Sequence, residues 1–169
     1  MASTTRCAIA ALFVLAITAE LVSTTAGAQA PIDVYELADY RLTSEVFERF
    51  AQASGRVGAI TREDPSFADA PLLTKDTALS GDAVAEVATL VARLEHHAGL
   101  TAALAEAKIT PREYGKFTIA LIAARLAYGF VKAGVLQRVP SGAPTINVEF
   151  VKTHEAEVTE TFAQLGIRD

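Results

Sequence analysis

A long, nearly uncharged helix is the feature that most restricts how this chain can fold. Residues 110–113 (Thr-Pro-Arg-Glu) have the N-cap threonine, first-position proline and third-position glutamate of a capping box. They predict a helix over residues 111–133, with Gly134 as its stop signal. Arg125 is the only charged residue between positions 117 and 131. A helix that is apolar nearly all round is predicted to be the buried centre of a helical bundle.

Further helices are predicted on both sides of this central one. Apolar residues recur at helical spacing over residues 44–60, 80–98 and 147–165, and a short helix is predicted over 100–108. Apolar and polar residues do not alternate for long anywhere, so no sheet is expected. The predicted fold class is all-α, an irregular bundle of four main helices plus one short helix. The predicted N-caps are Thr43, Ser80 and Asn147, and the predicted stops are Gly99, Gly134 and Gly166.

The segments between these helices have no sustained period. Residues 32–41 are mixed, and residues 61–79 are predicted to form a long surface loop that Phe67, Leu72 and Leu73 hold to the body. Residues 135–146, with two prolines, are predicted to form a second loop. Within the central helix, Gly115 and Gly129 are predicted to let neighbouring helices approach closely.

The N-terminal segment has the pattern of a secretory signal peptide. Arg6 precedes a short apolar run, which Glu20 ends, and small residues follow it. Cleavage after Ala28 is preferred to cleavage after Ala30, because the second would place Pro31 at the new N-terminus. The alternative is a retained membrane anchor, for which the apolar run is short, since a spanning helix needs about 20 apolar residues. We therefore expect a signal peptide over residues 1–28, a single all-α domain over 29–169, and a periplasmic or secreted protein.

Composition excludes several chemistries for the domain. Cys7 and Met1 are the chain's only cysteine and methionine, and both lie in the predicted signal. Disulfides, thiolate catalysis and cysteine-ligated metal sites are therefore excluded for residues 29–169. The net charge is −5 and the basic residues are scattered, which argues against nucleic acid as a partner and, once the signal is cleaved, against membrane contact.

The histidines are the candidate metal ligands. His97 or Glu95 could meet His154 across the bundle, with Glu149, Glu155 or Glu157 completing a carboxylate–histidine site. Neither the E-x-x-H spacing of di-iron bundles nor H-E-x-x-H occurs. The competing interpretation is that each histidine is an ordinary core or boundary residue with a hydrogen-bond partner.

Arg125 is the candidate ligand contact. A guanidinium in an apolar helix must pair, reach water or bind an anionic group, because burial of its charge is costly. The structural interpretation is an ion pair or a side chain that extends to solvent, and the functional one is an anchor for a ligand carboxylate. Tyr114 and Tyr128 lie on one face of the same helix, so they are the candidates to line such a pocket.

No catalytic arrangement is evident. The sequence has no G-x-S-x-G, phosphate-binding loop or dinucleotide fingerprint. The carboxylate pairs Asp33 with Glu36 and Glu155 with Glu157 are interpreted as solvated faces.

Residues 109–114 (Ile-Thr-Pro-Arg-Glu-Tyr) and residues 147–151 (Asn-Val-Glu-Phe-Val) resemble the helix starts of small uncharacterised secreted bacterial proteins. The resemblance covers about residues 99–152 and implies a bacterial, exported, helical protein. It assigns no catalytic residues.

These observations together predict a non-enzymatic, exported binding or interaction protein. Its partner is expected to be another protein or a small apolar ligand held between helices, and no cofactor is expected. The alternative is a metal-binding protein that uses His97, His154 and nearby acids. A third, weaker possibility is a hydrolase with an unrecognised site.

Overall fold

The computed structural model describes residues 33–68, 72, 82–139 and 144–167, all within the compact unit Pro31–Asp169. The predicted signal peptide lies outside these residues. In the described part of the chain every regular element is helical, which confirms the all-α fold class. The helices are α1 (Val34–Ala38), α2 (Ser44–Glu63), α3 (Ala83–His96), α4 (Ala98–Glu106), α5 (Pro111–Lys132), α6 (Thr145–Thr153) and α7 (Glu155–Gln164), with a 3₁₀ turn at Pro65–Phe67. None of these helices is long and apolar enough to cross a bilayer.

Helix α5 is the centre of the bundle, as its sequence predicts. It packs against α2, α3, α4 and α6. Tyr114, Phe117 and Leu121 are completely buried along it. The Phe117 ring lies 4.8 Å from that of Phe50 and 6.2 Å from that of Phe47, both in α2. Aromatic packing between α2 and α5 therefore forms the middle of the core.

The predicted starts of α2 and α5 are confirmed. The Val46 N–H donates to the Thr43 hydroxyl over 3.4 Å, and the Glu113 N–H donates to the Thr110 hydroxyl over 3.1 Å. The Glu113 carboxylate accepts a 2.6 Å hydrogen bond from the Tyr40 hydroxyl. The first turn of α5 is thereby joined to the segment that precedes α2. At the other end, Gly134 adopts a positive φ of 71° just after α5, as expected of a stop signal.

Two of the predicted helix boundaries are wrong because histidines interrupt the helices. Residues 147–165 are not one helix, since His154 separates α6 from α7. The second break is at His97 rather than at Gly99, which lies in the first turn of α4. His97 has an extended backbone, and its ring accepts a hydrogen bond from the Leu100 N–H, so its side chain caps the new helix.

Asn147 is not an N-cap, because α6 begins earlier, at Thr145 after Pro144. Its buried side chain accepts a 3.0 Å hydrogen bond from the Leu42 N–H and donates a 2.9 Å one to the Tyr40 carbonyl. A side-chain amide has both a donor and an acceptor, so it satisfies the non-helical backbone between α1 and α2. Asn147 thus joins the start of α6 to that segment.

Other helix ends and caps also differ from those predicted from the sequence. Helix α2 continues to Glu63, three residues beyond the predicted end, and α1 forms within the segment that showed no clear period. The expected cap Ser80 lies outside the described residues, and Asp82 caps α3 by accepting from the Ala85 N–H. Of the residues expected to hold the 61–79 loop, Phe67 is buried and Leu72 packs on the core, while Leu73 lies outside the described residues.

The two glycines of α5 have different surroundings. A Cβ atom on Gly115 would lie 2.9 Å from Val91 Cγ2 of α3, so the predicted close approach is confirmed there. A Cβ on Gly129 would meet nothing within 4 Å, so the same prediction is wrong for Gly129 in the described structure.

We predict opposite effects of alanine at these two positions. Gly129→Ala should raise the free energy of unfolding by about 0.5–1 kcal/mol, because alanine favours helix and has room. Gly115→Ala should lower it by about 1 kcal/mol, because α3 must move away and overpacking exceeds the gain in helix propensity. Urea denaturation of both variants measures the difference. Equal effects would contradict the close contact between α3 and α5.

Candidate functional site

Tyr114, a candidate ligand contact, is a core residue. Its side chain is fully buried, its ring lies 4.8 Å from that of Phe50, and its hydroxyl is 3.1 Å from the hydroxyl of Ser54. Burial raises the pKa of Tyr114 well above its usual value. The phenol is therefore neutral, and Ser54 of α2 supplies it with a hydrogen-bond partner inside the core.

Arg125 and Tyr128 both connect α5 to α7. The guanidinium carbon of Arg125 lies 4.7 Å from the centre of the buried Phe162 ring, a cation–π arrangement. The Tyr128 hydroxyl donates a 3.0 Å hydrogen bond to Glu155. Lys132 pairs with the same carboxylate and lowers the pKa of Glu155. Glu155 therefore interacts with α5, which a purely solvated face would not do.

The three candidate ligand contacts do not form one pocket. Tyr114 and Tyr128 are 14 positions apart in a continuous helix, or about 21 Å at about 1.5 Å per residue. Tyr114 points into the core and Tyr128 is half-buried beside α7. Arg125 lies near Tyr128, one turn earlier. The spacing of Tyr114 and Tyr128 predicts a shared helix face, but the two side chains contact different parts of the structure.

His97 joins the α3–α4 junction to the end of α2. Its Nε2 lies 2.9 Å from an Asp64 carboxylate oxygen, and its Nδ1 accepts a hydrogen bond from the Leu100 N–H over 3.2 Å. Nδ1 is thus directed at the first turn of α4 and Nε2 at the carboxylate that follows α2. The hydrogen bond from His97 lowers the pKa of Asp64 to about 2.

His154 has a similar position at the other end of α2. Its Nδ1 lies 2.8 Å from Glu157, its Nε2 lies 3.4 Å from the Ser44 hydroxyl, and its ring is 4.5 Å from that of Phe150. The sequence placed His154 on the apolar stripe of one long helix. The structure instead places it between two helices.

The structure does not bring His97 and His154 together. One contacts Asp64, just after α2, and the other contacts Ser44, its first residue. Twenty positions of helix separate these contacts, or about 30 Å. In the described parts of the chain no three histidine, cysteine or acidic residues are grouped as a metal site would require. The geometry therefore gives no support to a metal site shared by the two histidines.

An ion-pair cluster that the sequence analysis missed holds α1 on the bundle. The Glu36 carboxylate lies 2.6 Å from Arg112 Nη2 and 2.8 Å from Lys116 Nζ. These hydrogen bonds lower the pKa of Glu36 to about 2. The interpretation of Glu36 as part of a solvated face is therefore wrong. The sequence feature that could have indicated this cluster is the spacing of Arg112 and Lys116, which places both bases on one side of α5.

In the described part of the chain, three large apolar side chains are exposed around the end of α5 and the start of α6. Phe130 is 45% exposed, Val135 is 68% exposed and Ile146 is 58% exposed. Phe130 is in the last turn of α5, the Val135 N–H donates to its carbonyl over 3.0 Å, and Ile146 is in the first turn of α6. Ala127 of α5, three residues before Phe130, and Val148 of α6, two residues after Ile146, pack together.

We name Phe130, Val135 and Ile146 the end surface. A contiguous exposed apolar patch is typical of a contact site, whereas single exposed apolar residues are ordinary. The sequence predicts a loop over residues 135–146 and does not distinguish these positions. The sequence feature that could have indicated them is the presence of apolar residues within a segment that contains several glycines and prolines.

Comparison of the chain with protein-family models found no match. Comparison with curated proteins and with solved structures found none either.

The Glu36 cluster predicts a pH-dependent contribution to stability. The pKa of Glu36 is lower in the folded state than in the unfolded state, so its contribution is complete above about pH 4.5 and is lost as the pH falls towards 2. Glu36→Gln should lower the free energy of unfolding by about 1 kcal/mol at pH 7. Its difference from the unmodified chain should disappear by about pH 2.

Denaturant titrations at several pH values between 2 and 7 measure this difference. Glu48→Gln is the matched control, because Glu48 is an exposed glutamate of α2. A pH-independent effect of Glu36→Gln would show that the ion pairs do not contribute as described.

Proposed function

We propose that this chain is an exported, non-enzymatic α-helical interaction protein that binds its partner through the end surface. The observation that carries the proposal is the exposure of Phe130, Val135 and Ile146 around the end of α5 and the start of α6, two helices that pack together. Exposed apolar side chains contribute little to folding, and their burial against a partner is favourable.

The interior contacts support a surface function over a ligand held between helices. Tyr114 is fully buried and hydrogen-bonded to Ser54, and Phe117 and Leu121 are fully buried beside it. Arg125 lies over the Phe162 ring. The side chains proposed as pocket residues therefore already have roles in packing, and a small apolar ligand would have to displace them.

Packing and hydrogen bonds give the residues around the end surface a defined position. Helices α5 and α6 pack along each other, and Asn147, next to Ile146, makes two hydrogen bonds to the chain before α2. Gly134 reverses the chain directly before Val135. A partner would thus meet apolar side chains whose backbone is already ordered, which reduces the entropy lost on binding.

Site-specific photo-crosslinking in the producing cell tests the proposal. A photoreactive amino acid at position 135 should give defined protein or lipid adducts, because that side chain would contact the partner. The matched control is position 52, since Gln52 is exposed in α2, a helix that contributes no residue to the end surface.

The adducts at position 135 should disappear when Phe130 and Ile146 are both replaced by serine. The melting temperature of that double variant should be nearly unchanged, because both residues are exposed. Absence of adducts, or identical adducts at positions 135 and 52, would refute the proposed function.

A further inference from the structure

Three polar side chains contact one another in series where α2 begins and where α6 and α7 meet. His154 Nδ1 lies 2.8 Å from a Glu157 carboxylate oxygen, and His154 Nε2 lies 3.4 Å from the Ser44 hydroxyl oxygen. The hydroxyl and the carboxylate thus contact different nitrogens of one imidazole. A hydroxyl, an imidazole and a carboxylate in this order are the parts of a serine nucleophile that a general base activates.

The fold, not a local motif, brings these groups together. Ser44 is the first residue of α2, and His154 lies 110 positions later, between α6 and α7. The His154 ring is packed against two aromatic rings, with centres 4.5 Å from that of Phe150 and 5.8 Å from that of Phe47. These contacts give the imidazole a defined position between the hydroxyl and the carboxylate.

The Ser44 hydroxyl is accessible to a reagent, because Ser44 is exposed and the His154 side chain is 25% exposed. The 3.4 Å separation of hydroxyl and imidazole is long, but such contacts commonly shorten when a substrate binds. His97 has a different arrangement, with a carboxylate at one nitrogen and a backbone N–H at the other. His154 is thus the histidine that joins a hydroxyl to a carboxylate.

The start of α2 supplies N–H donors for the negative charge that develops when a serine attacks a carbonyl. An α-helix gives its first N–H groups no intrahelical acceptor. Thr43 accepts from the N–H groups of Val46 and Phe47. Within the described residues, no backbone carbonyl accepts from those of Ser44 and Glu45. These two N–H groups, at the positive end of the helix, suit an oxyanion formed on Ser44.

The surroundings of Ser44 favour an uncharged substrate. Glu45 follows Ser44, Glu48 lies one turn further along α2, and Glu157 lies on the other side of the imidazole, all of them exposed. Their negative charges would repel an anionic ester such as a phosphate. The partly exposed Phe150 ring beside His154 offers an apolar contact. A small uncharged carboxylic ester fits both features.

We propose that Ser44 is a reactive serine that accepts the acyl group of a small uncharged carboxylic ester. The neutral His154 ring carries its proton on Nδ1, facing Glu157, and Nε2 takes the hydroxyl proton as Ser44 Oγ attacks the carbonyl carbon. The bond from that carbon to the leaving alcohol oxygen then breaks, and Nε2 gives the proton to the alcohol. The products are O-acylated Ser44 and the free alcohol, and Glu157 is a positioning residue.

Acylation of Ser44 goes beyond the proposed function and does not depend on the end surface. One acyl group is transferred to each chain, so the step is a covalent modification rather than turnover. Absence of crosslinked adducts at position 135 would leave the acylation of Ser44 unaffected. Absence of acylation would equally leave the crosslinking unaffected, so the two proposals fail separately.

Two reagents test the proposal on the protein as the producing cell processes it. 4-Nitrophenyl acetate donates an acetyl group and releases 4-nitrophenol, and an uncharged fluorophosphonate phosphonylates an activated serine and releases hydrogen fluoride. After an acid quench, peptide mass spectrometry should locate both adducts at Ser44. Ser66 is the internal control, because it is an exposed serine in the 3₁₀ turn after α2, and it should remain unmodified.

Variants of the two partners test how Ser44 is activated. His154→Gln should slow labelling by about a hundredfold, because the general base is lost. His96→Gln is the matched control, since His96 is an exposed histidine of α3, and it should change labelling little. Glu157→Gln should slow labelling by about tenfold, and Glu157→Asp, which keeps the carboxylate, should restore most of the rate.

Labelling of Ser44 that depends on His154 and on a carboxylate at position 157 would support the proposal. No adduct at Ser44, equal labelling of Ser44 and Ser66, or labelling that His154→Gln leaves unchanged would overturn it. Circular dichroism shows whether each variant is folded. If His154→Gln does not fold, the two Glu157 variants decide, and equal labelling rates for them would overturn the proposal.

Discussion

The apolar surface of α5 is the constraint on which the rest of the structure depends. Tyr114, Phe117 and Leu121 lie on this helix without solvent contact, and a helix apolar nearly all round cannot be stable until other helices cover it. Helix α3 covers one side at close range because Gly115 has no side chain. Aromatic rings of α2 and the apolar residues of α6 cover others.

Polar contacts then hold the covering elements in place around that helix. The amide of Asn147 satisfies backbone groups before α2, and Glu36 holds α1 against the first turns of α5. His97 and His154 each stand at a helix break and contact opposite ends of α2. These contacts occupy most of the side chains that the sequence suggested for chemistry. In the described part of the chain, the exposed side chains of the end surface are the ones to which we assign no structural role.

The parts of the fold that local chemistry determines could be predicted from the sequence. Thr43 and Thr110 cap their helices, Gly134 ends α5, and the lack of charge in α5 places it in the centre. The break at His154 and the role of Asn147 could not be predicted, because both depend on partners about a hundred positions away. Leu42 and Asn147, for example, are 105 positions apart.

The candidate site was less predictable for a different reason. Tyr114 and Arg125 were candidates because polar groups are rare in an apolar helix. In the structure the Tyr114 hydroxyl is hydrogen-bonded to Ser54, and the Arg125 guanidinium lies over the Phe162 ring. Phe130, Val135 and Ile146 have the composition of ordinary core residues. Their exposure depends on which neighbouring residues cover them in the folded chain. Periodicity in the sequence does not show where that coverage ends.

Native-state hydrogen exchange tests the central claim most directly, namely that the middle of α5 is the shared core and that its C-terminal end contributes less to the stability of the fold. The account predicts that amides of residues 114–127 exchange only through global unfolding, whereas amides of residues 130–136 exchange through local opening at lower free energy. Exchange of the 114–127 amides through local opening, with α2 or α3 more protected, would contradict it.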